Sequence, residues 1–405
     1  MLKDFKGPLI YTFFNSISKT ITLFSAFILI LIVGKENYGL YSHINMFSQL
    51  MGVVTTFGLG VYLNKTLSLL KDEKDIYVYN LIIIYLSFLS LIFLSLYLFS
   101  DYIIINFFNS EINFMNYIFL MPVILFLSIG QIQSGYYLGG GNYKKAGILN
   151  LTYSMALLFS LIVIYFFNNL NFYILSLILS VLNYFFVLIK NINIKKYKLK
   201  YLNINVIREI LNFCIPVFFA SLLFSPVIWY MNAKVLKEID NLSLLGDFNI
   251  AYQIRMIIFF LPSIMMMSSI SKIVKKEKES RNKFLWKVFC ISLLISVLII
   301  IVFDIFRVIF SYYSSTELID VKLIYYNYFI AILMVVNAFF GLAWLVFSRV
   351  WSALIFNLIW AVICVLLNNF FIEKGEGVYS SIYALVIAYI TLTILQFFCY
   401  LRVSK

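Results

Sequence analysis

Apolar residues recur along the whole chain in runs of about 20, and each run is long enough for an α-helix to cross the roughly 30 Å hydrocarbon core of a bilayer. Of the 405 residues, 63% are hydrophobic and 12% are charged, and a soluble domain of this length could not bury so much apolar surface. We therefore expect an all-α polytopic membrane protein with about twelve transmembrane helices. The predicted spans are residues 9–33, 38–62, 76–99, 114–138, 146–167, 172–190, 210–231, 248–271, 286–308, 323–347, 351–372 and 378–400.

The lysines and arginines assign the connections between these spans to two sides of the membrane. Of the 31 basic residues, 23 fall in the termini and loops of one side and 5 in the loops of the other. Basic loops stay in the cytoplasm, so we expect both termini to be cytoplasmic. The net charge of +13 then faces anionic lipid headgroups, and we expect no nucleic-acid partner.

The longest connection is a basic stretch close to the midpoint of the chain. Pro216 follows Pro8 by 208 residues and Lys272 follows Lys65 by 207, so similar positions recur at nearly one offset. Two repeated halves with a site between them are a common plan among secondary transporters. The predicted division is an N-terminal lobe of six helices (1–190), a basic cytoplasmic linker (191–209) and a C-terminal lobe of six helices (210–405).

Lys19 lies about ten residues into the first predicted span, roughly 15 Å deep at 1.5 Å per residue. An ionisable side chain inside a span is costly and indicates a functional role. Asn15 and Ser18 share its helical face, which indicates a water-filled interior surface. The alternative is that Lys19 extends to the interface or completes a structural hydrogen-bond network.

Arg255 lies about eight residues into the eighth predicted span, and Tyr252 shares its face. Its guanidinium could stack on aromatic rings or bind an anion through two parallel hydrogen bonds. The alternative is a structural pair with another helix. Arg307 follows Asp304 by three residues near the end of a span, which favours a local ion pair between them.

Other predicted spans carry uncharged polar faces. Gln49 belongs to one on the second span, and Asn357 and Trp360 belong to one on the eleventh. Amides and aromatic rings around a cavity suit a sugar, although ordinary hydrogen bonds between helices are the alternative for each face. The candidate substrate-binding residues are Lys19, Arg255, Asn15, Ser18, Tyr252, Gln49 and Asn357.

Several site classes lack the residues that they require. The chain has one histidine, and its four cysteines are scattered through apolar runs, so we expect neither a His-rich metal site nor a disulfide framework. No phosphate-binding glycine motif is present, which argues against ATP hydrolysis by this chain. We expect no cofactor, and either a coupling ion or the membrane potential remains possible as the source of energy.

Three short stretches are similar to one family of membrane proteins. They are Gly34–Tyr41, Phe57–Gly60 with the following Asn64-Lys65, and Leu211–Pro216. The chain resembles in these stretches, and in its length and span layout, the O-antigen and polysaccharide flippases of the multidrug/oligosaccharidyl-lipid/polysaccharide exporter superfamily.

This resemblance implies two six-helix lobes around a central cavity that opens alternately to each side. It implies a flippase, not an enzyme, that moves an undecaprenyl-diphosphate-linked O-antigen or polysaccharide unit across the bacterial inner membrane. Related lipid flippases open toward the bilayer between their first and eighth helices, which here carry Lys19 and Arg255, so these cations would hold the diphosphate. The implied partners are the lipid-linked oligosaccharide, membrane lipids, a polysaccharide polymerase and a chain-length regulator.

Two other functions are weighed against the flippase. A drug or cation antiporter of the same superfamily would need membrane-embedded carboxylates, which the predicted spans almost lack. A membrane glycan polymerase would need a long outer loop, and the predicted outer loops are short.

Overall fold

The computed structural model of the chain describes residues 2–70, 74–106, 108, 112–167, 170–191, 201–238, 242–314 and 321–404. These residues are nearly all helical, and each of the twelve predicted spans coincides with one or two of the helices. The all-α polytopic class is therefore confirmed. The helices are α1 Leu2–Thr56, α2 Leu59–Thr66, α3 Lys74–Leu98, α4 Ser100–Asn106, α5 Phe114–Ile118, α6 Leu120–Gly139, α7 Tyr143–Phe166, α8 Leu170–Asn191, α9 Ile204–Glu238, α10 Leu242–Val274, α11 Lys278–Ser314, α12 Val321–Val346, α13 Val350–Glu373 and α14 Tyr379–Ser404.

The number of membrane-spanning helices is close to the predicted twelve. Across the described residues, ten helical segments are long and apolar enough to cross a membrane. The end of α1, Ile44–Thr56, and α2, Leu59–Thr66, form a bent pair that makes an eleventh span if the two are counted together. The sixth predicted span corresponds to α8, and the part of it whose side chains are described, Tyr173–Tyr184, is apolar. The protein is thus a multi-pass membrane protein.

The connection predicted between the first two spans is helical instead. α1 runs through 34–37 without a break and is 55 residues long, because this stretch contains no proline and a single glycine. The helix breaks later, at Phe57 and Gly58, which both have positive φ, 50° and 73°. Glycine adopts this conformation without a steric penalty, and α2 then continues at 52° to the end of α1.

Side chains are distributed as a lipid environment requires. Large apolar side chains such as Leu31, Phe166 and Val302 are exposed along the helices. Serines such as Ser154 are fully buried, and the Ser154 hydroxyl donates to the carbonyl of Leu151. A hydroxyl that bonds to its own helix can face other helices without an unsatisfied donor.

The chain divides into two compact units, Met1–Ile215 and Pro216–Lys405, which we call unit 1 and unit 2. In unit 1, α1 packs mainly against α7 and α6. In unit 2, α10 packs against α12 and α11, and α14 packs against α13 and α12. Residues 192–200 of the predicted linker lie outside the described residues, and α9 begins at Ile204, so the predicted lobe boundaries stay a prediction.

The start of α9 is anchored within unit 1. The Glu209 carboxylate accepts hydrogen bonds from the hydroxyls of Tyr62 in α2, at 3.0 Å, and Tyr77 in α3, at 2.9 Å. One turn later the Phe213 ring packs on Tyr62, and the ammonium of Lys65 lies 5.0 Å from its centre. These contacts fix the first turns of α9 against α2 and α3.

Candidate functional site

Arg255 is buried in unit 2, where its side chain is 4% exposed. It lies in α10, and its guanidinium carbon is 4.8 Å from the centre of the Tyr252 ring, one turn earlier on the same face. A cation over an aromatic face gains about 0.5–2 kcal/mol. Tyr389 of α14 and Cys364 of α13 lie close enough to interact with Arg255 electrostatically.

The Arg255 guanidinium keeps its hydrogen-bonding capacity. Its contacts within the described part of the chain are with tyrosines and a cysteine, and they include neither a carboxylate nor a hydrogen bond. Its Nε is enclosed and has no acceptor. A buried cation without a counter-charge is destabilising by several kcal/mol, roughly. An anion that reaches the guanidinium would remove this cost.

The polar face of α1 lies in unit 1 and is largely used within the protein. Asn15 and Ser18 are buried, whereas Lys19 is exposed. The Asn15 side-chain oxygen accepts from Asn150 Nδ2 at 2.7 Å, and the Ser18 hydroxyl donates to the Asn150 carbonyl at 2.9 Å. Tyr11 adds a weaker contact, 3.4 Å from Asn150 Nδ2. Asn15 and Ser18 thus join α1 to α7, and Lys19 is exposed on the same helix.

The other two candidates have different surroundings. Gln49 is exposed on α1 and donates to Asn45 within the same helix, at 3.2 Å. Asn357 of α13 lines a cavity inside unit 2, and its Nδ2 donates to the carbonyl of Ala220 at 3.4 Å. Of the seven candidate residues, Arg255, Tyr252 and Asn357 therefore belong to unit 2 and the rest to unit 1.

The cavity that Asn357 lines, which we call the cavity of unit 2, has a volume of about 520 Å³ and lies between α9, α10, α12, α13 and α14. Its walls are mainly apolar, with contributions from Phe259, Met266 and Trp344. The amides of Asn357 and Gln396 interrupt them. No described residue in this lining carries a formal charge. A mostly apolar cavity of 300–1,000 Å³, roughly, with a few polar groups is the usual form of a small-ligand site.

The prediction for Arg307 is confirmed. Its Nε donates to Asp304 at 3.0 Å, with the two residues on adjacent turns of α11. Tyr325 of α12 accepts from the same guanidinium at 3.1 Å. Arg307 is therefore a neutralised arginine, unlike Arg255.

Sequence reasoning missed three residues that complete these surroundings: Asn150, Tyr389 and Gln396. Each is a polar residue within an apolar run, which was the available signal. The pairing of Asn150 with Asn15 joins residues 135 positions apart, and the periodicity of a single helix does not reveal such a contact.

Several solved structures are similar to this one over almost its whole length. A MATE in the straight conformation gives a TM-score of 0.82 at 14% identity, with 99% of this chain and 96% of that chain covered. An outward-facing multidrug resistance MATE family transporter of the MOP superfamily gives 0.81 at 14% identity, over 99% and 96%. A MATE in the bent conformation gives 0.77 at 15% identity, over 100% and 94%. These likenesses establish the fold.

The sequence itself identifies the family. No curated protein matches the chain in sequence. The family model described as "Polysaccharide biosynthesis protein" matches residues 5–270, which is most of the chain. The resemblance to polysaccharide flippases that the short stretches indicated is thereby confirmed. The chain belongs to the polysaccharide biosynthesis protein family and has the two-lobed fold of the MATE transporters of the MOP superfamily.

Proposed function

We propose that this protein is a flippase that moves an undecaprenyl-diphosphate-linked O-antigen or polysaccharide unit across the bacterial inner membrane by alternating access. The observation that carries the proposal is Arg255, a buried cation with no carboxylate among its described contacts, in a chain of the polysaccharide biosynthesis family. A diphosphate that leaves the headgroup region needs compensating charge, and a planar guanidinium binds phosphate oxygens through two parallel bonds.

The candidate residues have separate roles in this proposal. Arg255, held by Tyr252, binds the diphosphate, and Lys19 contributes a second cation. The amides of Gln49 and Asn357 accommodate the glycan, and the polyprenyl tail stays in the bilayer. Asn15 and Ser18 act through the position of α1, because their polar groups are bonded to Asn150.

The setting follows from the same proposal. Both termini lie in the cytoplasm, where a polyprenyl-linked unit is assembled, and a polysaccharide polymerase and a chain-length regulator act on the transported product. No cofactor is required of the protein. The outward movement of the unit is driven by a coupling ion or by the membrane potential.

Two alanine variants test the function. We expect Arg255→Ala combined with Lys19→Ala to abolish translocation of the lipid-linked unit and the surface polysaccharide, with the protein still present in the membrane. Arg307→Ala is the matched control, because that arginine is already paired with Asp304. A normal polysaccharide ladder in the double variant would refute the assignment of both residues.

An antiporter of drugs or cations is the second candidate, and one of the similar structures is described as a multidrug resistance transporter. The charges in unit 2 argue against an antiporter, because Arg255 repels cations and the lining of the cavity of unit 2 has no described carboxylate. Efflux of a fluorescent cation from right-side-out vesicles distinguishes the two. We expect the dye to be retained equally with wild-type protein and with empty membranes, and protein-dependent efflux would favour the antiporter.

A further inference from the structure

The cavity of unit 2 contains more hydrogen-bonding capacity than its own residues use. Gln396 is 3% exposed, and its side-chain oxygen accepts from Trp344 Nε1 at 3.4 Å. Its Nε2, a donor of two hydrogen bonds, has no partner among the described residues. Asn357 is the converse case, since its Nδ2 reaches the carbonyl of Ala220 while its Oδ1 has no described donor. One free donor and one free acceptor thus line the same cavity.

Three more groups around this cavity are unused. Tyr389 lines it, and its hydroxyl interacts electrostatically with Arg255 but makes no hydrogen bond with any described residue. Trp360 Nε1 and Asn337 Oδ1 also belong to lining residues, but both atoms are enclosed and do not face the cavity. Leaving a polar group unsatisfied costs about 1–3 kcal/mol, so a ligand that pairs with Gln396, Asn357 and Tyr389 binds with that advantage. Such groups are uncommon in native structures, where most buried polar atoms are paired.

The chemistry of the cavity selects a neutral, hydroxyl-bearing ligand. The described lining contains no charge that could compensate an ion. A purely apolar chain would leave the amides and the tyrosine hydroxyl without partners. Sugar hydroxyls both donate and accept hydrogen bonds, so they match the amide of Gln396, the carbonyl of Asn357 and the hydroxyl of Tyr389. The C–H faces of a sugar ring suit the aromatic and methionine walls.

We propose that the cavity of unit 2 is a saccharide subsite that takes a neutral sugar residue of the transported glycan. This inference rests on the proposed flippase function and separates two tasks within unit 2. Arg255 binds the charged diphosphate, and the cavity reads the uncharged sugar through its neutral amides. The sugar is thereby selected by hydrogen bonds, which discriminate strongly because a ligand without the matching hydroxyl leaves buried groups unpaired.

Gly341 provides a probe of the cavity that does not disturb it. It lines the cavity, and a Cβ added to it meets no atom within 4 Å. We therefore place a thiol in the cavity with Gly341→Cys, after replacing the exposed Cys290 and Cys399 by serine. Lys275→Cys, at an exposed turn, is the control thiol. Both are labelled with a maleimide in detergent-purified protein.

The ligand fraction is the lipid-linked glycan extracted from membranes of the expressing strain, and the comparison is the same fraction after its glycan has been removed. We expect the intact fraction at saturation to slow labelling of Gly341→Cys about tenfold. The stripped fraction should not slow labelling of Gly341→Cys, and neither fraction should slow labelling of Lys275→Cys. Equal protection by the stripped fraction would assign the cavity to the lipid tail and overturn the subsite. Absence of protection by the intact fraction would overturn it as well.

A second pair of variants tests the amide directly. Asn357→Leu should raise the concentration of intact fraction that gives half-maximal protection by about tenfold. Asn369→Leu is the matched control, because Asn369 is a half-buried amide of the same helix that bonds to Tyr230 outside the cavity. Translocation by the unmodified protein in liposomes is measured separately. Translocation without protection contradicts the subsite alone, whereas protection without translocation contradicts the flippase function.

Discussion

At the scale of single residues, the two units differ in how their polar side chains are used. On α1 of unit 1, Asn15 and Ser18 are bonded to Asn150 of α7 and act as ties between helices. In unit 2, Arg255 and Gln396 are almost fully buried and keep polar atoms without described partners. Unpaired buried polar groups are uncommon in native structures, and Arg255 and Gln396 are therefore the residues of unit 2 on which our proposals depend.

Replacement of Arg255 by lysine separates its charge from its shape. Arg255→Lys keeps the cation and removes the planar fork that binds two phosphate oxygens. We expect the apparent affinity for the lipid-linked diphosphate to fall about tenfold in a proteoliposome assay, while Tyr252→Phe, which keeps the ring face, stays within about twofold of wild type. Wild-type affinity in Arg255→Lys would mean that charge alone matters at this position.

At the scale of helices, the close crossing of α2 and α6 depends on glycine. A Cβ added at Gly135 of α6 would overlap the backbone carbonyl of Gly60 in α2. Gly139 has a similar contact with the carbonyl of Leu63 one turn later. Small residues at spacings of four let helix backbones approach closely in membranes. The break at Gly58 and this crossing together position α2 beside α6.

Alanine at Gly135 should therefore separate these helices. We expect Gly135→Ala to lower thermal stability in detergent by several degrees, corresponding to roughly 2 kcal/mol or more, because backbone atoms must move. Gly341→Ala is the matched control, since it is also a helical glycine but has open space around its Cβ. That variant should be neutral or more stable by up to about 1 kcal/mol. A stable Gly135→Ala would contradict the tight crossing.

The sequence predicted the existence of each long helix but not the local breaks. Residues 34–37 combine a glycine, a lysine, a glutamate and an asparagine, which suggested a loop, yet none of them stops a helix. The true break at Phe57 is hidden, because a phenylalanine with positive φ is unexpected from sequence. Packing of α2 onto α6 selects that conformation, and packing between helices is not visible in a periodicity.

At the scale of the whole molecule, composition predicted the class, three short stretches predicted the family, and the sequence indicated only part of the candidate site. Arg255 and Asn357 were found from the rule that polar residues inside spans are costly. Gln396 was not found in this way, because its role depends on a contact with Trp344, which lies 52 residues away in sequence and donates to the Gln396 side-chain oxygen. Which polar groups remain unused is a property of several helices together.

The sidedness predicted from lysine and arginine can be checked at two turns. Glu376, in the turn between α13 and α14, and Lys275, between α10 and α11, are both exposed. In intact cells we expect an impermeant maleimide to label Glu376→Cys, and to label Lys275→Cys only after lysis. Each variant is made in the background that lacks Cys290 and Cys399. The opposite pattern would invert the topology and place both termini outside.

One long helix, α9, is shared by the two units. Its first turns are fixed in unit 1 through Glu209, and from Pro216 onward it belongs to unit 2. α9 thus contributes its first turns to unit 1 and its remaining turns to unit 2. Pro216 has no N–H to offer the carbonyl of Asn212, and Pro226 has none for the carbonyl of Leu222, so α9 lacks a backbone hydrogen bond at two turns. Mechanically, a load on α9 concentrates its bending at these two turns, while the turns between them keep their hydrogen bonds and their shape.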